Sequence, residues 1–123
     1  MPKDKDVLRE YISHILKSEQ FMDSHLATLD RKGKWQIGDP FFDATSKQLE
    51  NICEYVIKIM ELDIPESRRI IGDNPSIGWN EIHRLRQRLA HWYTDAIDPK
   101  FLRQHVFEAG LISGLTEVLR EYL

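Results

Sequence analysis

Residues 79–98 read WNEIHRLRQRLAHWYTDAID, and this stretch decides the fold class. Trp79, Ile82, Leu85, Leu89 and Trp92 recur at spacings of three, three, four and three, which lays them along one side of a helix and marks that side as core. The remaining sides carry His83, Arg84, Arg86, Arg88 and His91, with Tyr93 just beyond. Guanidinium groups present a fixed fork of donors that matches phosphate oxygens, and imidazole titrates near neutrality. Such a helix is either a solvated face or a phosphate site. The charge distribution favours a local site: from Arg68 to His91 there are five arginines against two acids, whereas the chain as a whole carries a net charge of −3. An acidic exterior repels nucleic acid in general while leaving a local cationic cleft able to take phosphates, and broad DNA binding is not expected.

The order of these residues adds a resemblance. Arg86, His91 and Tyr93 form Arg-x-x-x-x-His-x-Tyr, which resembles the signature of the HepT-like ribonuclease toxins of the HEPN superfamily. Trp79-Asn80-Glu81-Ile82 looks like that family's helix start, and Asp98 like the acidic residue following its tyrosine. Leu49-Glu50-Asn51-Ile52-Cys53-Glu54 is similar to its preceding helix. The likeness covers roughly residues 5 to 122, and only the motif is specific. One departure is Gln87, where the family commonly has asparagine.

The resemblance implies an all-α, antiparallel four-helix bundle, a single domain over residues 1–123, paired as a homodimer with the motif lining a cleft at the dimer interface. It also implies a toxin of a type VII (HepT/MntA-type) toxin–antitoxin system, with RNA as substrate. Arg86 and His91 would be catalytic, and Arg84, Gln87 and Arg88 would bind or position RNA. Tyr93 would be adenylylated with ATP by a cognate minimal nucleotidyltransferase antitoxin, an AMPylation that adds a phosphate-bearing group to the cleft and blocks RNA by bulk and charge. Two rivals remain open: a non-catalytic helical subunit that docks the nucleotidyltransferase, and a plain structural bundle.

Elsewhere the chain describes an ordinary soluble domain. Of its 123 residues, 41% are apolar and 30% charged, and no apolar run reaches the length needed to cross a bilayer. No signal-peptide pattern follows Met1, so a cytoplasmic, membrane-free protein is expected. Cys53 stands in an apolar stripe and reads as core rather than nucleophile. His14, His25, His83, His91 and His105 show no metal-ligand spacing, and neither a metal nor another cofactor is expected.

Apolar spacing predicts a long first helix over Lys5 to Leu29, a loop containing Trp35, and a second helix from about Asp43, its N-cap, to Met60. Trp35 either plugs the end of the bundle or stacks a base. A short turn follows Pro65, where Arg68 and Arg69 could extend the basic region. The last helix is expected to run unbroken from Pro99 to Tyr122, capped by Asp98. Its apolar residues cover two faces, and Gly110 and Gly114 are spaced to admit another helix, which motivates the dimer.

On an ideal helix Arg86 and His91 lie about 140° apart. The motif therefore converges only if the helix unwinds near His91, if the Arg86 side chain wraps, or if a twofold axis pairs two such helices, and the last is favoured. Metal-free RNA cleavage by an endonuclease or exonuclease needs a base, an acid and positive charge on the phosphorane-like transition state. Two copies of His91 could divide the first two tasks.

Overall fold

The computed structural model describes residues 4–91 and 98–123, and every regular element among them is helical. In order they are α1 (Asp4–Lys32), α2 (Pro40–Glu61), α3 (Pro65–Gly72), α4 (Trp79–Ala90), α5 (Pro99–Phe101) continuing directly into a π-helical stretch (Leu102–Glu108), and α6 (Leu111–Arg120). None of these helices is long and apolar enough to cross a membrane.

The first helix places Asp4 and Asp6 in its first turn and Arg31 and Lys32 in its last, complementing the partial charges at its ends. It buries Leu8, Ile12, Ile15, Met22 and Leu29. Gly33 ends it, donating its N–H to the Leu29 carbonyl at 3.0 Å. A Cβ at residue 33 would stand 2.9 Å from the Leu29 Cα, so this reversal needs glycine. The chain then enters α2 one turn earlier than the Asp43 cap expected from sequence. Asp39 is the cap: its carboxylate accepts the N–H groups of Phe41 at 3.0 Å and Phe42 at 3.1 Å, with Pro40 opening the helix. Asp43 instead accepts the N–H of Gly38 at 3.1 Å.

Helices α1 and α2 pair antiparallel: Tyr11, near the start of α1, packs against Tyr55, near the end of α2, with ring centroids 5.8 Å apart, and Lys5 reaches Glu66 in the first turn of α3, just beyond α2, at 3.8 Å. Leu49, Ile52, Cys53, Val56 and Ile59 of α2 are all buried between the helices, and α4 adds Trp79, Ile82, Leu85 and Leu89 to the same core. A buried carboxylate docks α6 on α1: Glu19 accepts the Thr116 hydroxyl and, at 2.9 Å, a guanidinium N–H of Arg120. This satisfied pairing is what permits a glutamate in the core.

The final segment corrects the expectation of one helix from Pro99 to Tyr122. It winds as a π-helix, then breaks at Gly110, whose φ of 73° is left-handed. The apolar residues that would crowd two faces of one straight helix are thereby shared between two segments on either side of Gly110. Leu102, Val106, Ile112, Leu115 and Leu119 are buried, and Leu111, Phe107 and Tyr122 pack against the core. The two-faced pattern is absorbed in part: Leu115 is buried, while Leu111, Val118 and Tyr122 are half-buried. Phe101 is the large apolar side chain of this segment that stays exposed, at 38%.

Candidate functional site

Helix α4 turns its apolar stripe to α2 and leaves Arg84, Gln87 and Arg88 on the surface, with Arg86 half-buried. The helix ends at Ala90, and His91 follows as C-cap with φ −119° and ψ 27°, its N–H donated to the carbonyls of Gln87 and Arg88. His91 is exposed. Arg84, Arg86, Gln87, Arg88 and His91 together line one open concavity of about 480 Å³. Arg86 and His91 thus face a common space within a single protomer, with the helix ending between them. Tyr93 falls in 92–97, as does Trp92, which the apolar spacing assigned to the core, and both lie outside the described residues.

Arg86 also lines a second hollow, of about 300 Å³, with Glu54, Ile57, Lys58, Glu61, His83 and Gln87. It stands at the seam of α2 and α4, and its charge reaches the buried Cys53. Burial pushes that thiol up to about 12, the Glu50 carboxylate adding to the rise and Arg86 opposing it. A thiol so held is not a nucleophile at neutral pH, in keeping with its place in the core.

A third hollow, of about 280 Å³, lies on the other flank of α4, where Arg84 and Arg88 meet Phe101, His105, Val106 and Leu111, with Glu81 and Leu85. Spacing along the sequence did not join these residues, since the meeting depends on how the C-terminal segment folds back beside α4. The other basic candidates lie elsewhere. Arg68 pairs with Asp63 at 3.4 Å and Arg69 with Glu66 at 3.8 Å, and neither lines the three hollows beside α4. Trp35 packs edge-on to Phe42 and Phe107 under the guanidinium of Arg103 (5.2 Å), which is the plugging role. Among the described residues, no three His, Cys, Asp or Glu side chains gather as a group able to hold a metal ion.

Fold and surface define a small all-helical protein whose solvent face on one helix end is suited to phosphate: three guanidinium groups and an imidazole around one concavity. The family profile described as HepT-like, Ribonuclease HepT-like, matches residues 8–120, and the chain belongs to this family of HepT-like ribonucleases. No curated protein and no solved structure matches it.

Proposed function

We propose that this chain is the ribonuclease toxin of a two-gene, type VII toxin–antitoxin system, cleaving RNA without a metal ion and silenced by adenylylation of Tyr93. The observation that carries the reading is the meeting of Arg86 and His91 at one concavity, flanked by Arg84, Gln87 and Arg88, in a chain of the HepT-like family. His91 takes the proton of an RNA 2′-hydroxyl. The 2′-oxygen then bonds to phosphorus, the bond to the 5′-oxygen breaks, and the leaving oxygen takes a proton from water or from the second protomer's His91. Arg86 holds the phosphate through paired hydrogen bonds and stabilises the charge that builds on it. In this reading the protein is a homodimer, because two copies of one histidine supply both acid and base. Tyr93 stands two residues beyond His91, so adenylate attached there brings its phosphate to the same cationic surface.

The test is cleavage in the presence of chelator, with analysis of the new ends. Wild-type protein is expected to retain activity and leave 2′,3′-cyclic phosphate. His91→Ala and Arg86→Ala should each lose on the order of 100-fold or more, the usual range for a proton-transfer or charge-stabilising group. Full activity in both variants, or dependence on added divalent metal, would remove the mechanism.

A further inference from the structure

The hollow between α4 and the C-terminal segment is the strongest feature that the cleavage chemistry leaves unused. Phe101 keeps 38% of its surface exposed, although a ring of this size usually contributes most when buried. It is set among groups that suit a nucleic acid. The guanidinium of Arg88 lies over its face with the carbon 5.4 Å from the ring centroid. The His105 ring lies beside it, centroid to centroid 4.9 Å and tilted by 32°. Arg84 and Arg88 line this hollow and also the one that holds Arg86 and His91, so the two spaces share a cationic wall. Glu81, in the first turn of α4, also lines this hollow, and a carboxylate there repels phosphate. From His91 to Arg84 is about 10 Å along the helix, room for a short run of nucleotides.

We propose that Phe101 and His105 form a base-stacking subsite, occupied by a nucleobase of single-stranded RNA a short way from the scissile phosphate, with Arg84 and Arg88 holding the backbone between. The assignment rests on the ribonuclease reading for the position of the scissile bond. The physics is that of other sequence-tolerant single-strand sites: an aromatic ring takes any base, here by displacing the Arg88 guanidinium that lies over Phe101, while flanking arginines follow the phosphates. A duplex keeps its bases stacked inside and offers the ring nothing, so the subsite also selects unpaired RNA.

Binding is measured with short fluorescent single-stranded RNAs on a His91→Ala background, and cleavage on the wild-type background. Phe101→Ala is expected to weaken binding about 5- to 100-fold, the range for loss of one stacked base. Phe101→Leu keeps apolar volume without an aromatic face and should be as weak, whereas Phe101→Trp should bind at least as well as wild type. An RNA with one abasic position scanned along its length should lose affinity at a single position, and Phe101→Ala should not weaken that RNA further. The proposal is overturned if Phe101→Leu binds like wild type, or if abasic sensitivity survives in Phe101→Ala. It is also overturned if the Phe101 variants change only the oligomeric mass, which would make the ring a contact between copies. Loss of cleavage in wild type with the Phe101-dependent binding intact would instead sink the ribonuclease reading and leave the stacking site standing.

Discussion

Asp39 ties the interhelical loop to α2 through one carboxylate, which accepts the Lys34 N–H at 3.0 Å as well as those of Phe41 and Phe42. Partial desolvation pushes this carboxyl up, but the N–H groups of Phe42, Lys34 and Phe41, together with the Lys34 charge, outweigh it and hold the group below its ordinary 3.8. A carboxylate whose folded value is depressed stabilises the fold above the unfolded value, and that contribution is lost as pH falls through the folded one. The prediction compares wild type with Asp39→Asn, which keeps an acceptor but does not titrate in this range. By urea denaturation the wild type should be the more stable at pH 6, and the gap should close on acidification below about 4. A gap that stays constant down to pH 2 would mean that Asp39 acts through shape alone. The residue was within reach of the sequence. Two aspartates one turn apart both offer a cap, and Pro40 decides between them, because proline suits the first helical position.

Among the elements, α1, α2 and α4 were legible because their apolar stripes keep one period from end to end, so burial follows from spacing. The C-terminal segment was not. A π-helical stretch advances its side chains differently from an α-helix, and the break at Gly110 resets the register, so Leu111 and Leu115 are assigned to the wrong face by a single straight period. Gly110 and Gly114 look alike in sequence and differ in the structure. Gly110 has φ 73°, a conformation that favours glycine, and an added Cβ would lie 3.3 Å from the Ser113 Oγ. Gly114 sits inside α6 with nothing within 4 Å of such a Cβ. Gly110→Ala should therefore cost about 1–2 kcal/mol, while Gly114→Ala should stabilise by about 0.5–1 kcal/mol through its helix preference. Thermal denaturation at matched protein concentration reads both. Light scattering adds a second use: a Gly114→Ala protein that is folded but falls from dimer to monomer would locate a chain-to-chain contact at this open position.

Across the whole molecule, the candidate site was legible to the extent that it is local. Arg84, Arg86, Gln87, Arg88 and His91 lie within eight consecutive positions, so one helix end gathers them, whereas Phe101 and His105 reach the same wall only through tertiary folding. In the proposed toxin reading, regulation is the property that involves the entire protein, since a ribonuclease with a cationic face has to be kept from RNA until needed. The proposed switch at Tyr93 separates covalent silencing from simple docking. Co-expression with the cognate nucleotidyltransferase is expected to add adenylate mass to the wild-type chain, on a peptide containing Tyr93, and to abolish RNA cleavage. Tyr93→Phe removes the acceptor hydroxyl and keeps the ring, so the variant should fold, keep cleavage activity and gain no adenylate. It should also remain toxic in the presence of the antitoxin, because nothing is left for the enzyme to modify. A Tyr93→Phe protein that is still neutralised without covalent change would show that the antitoxin acts by occupying the arginine face, and the chain would then be read as a subunit held in check by its partner.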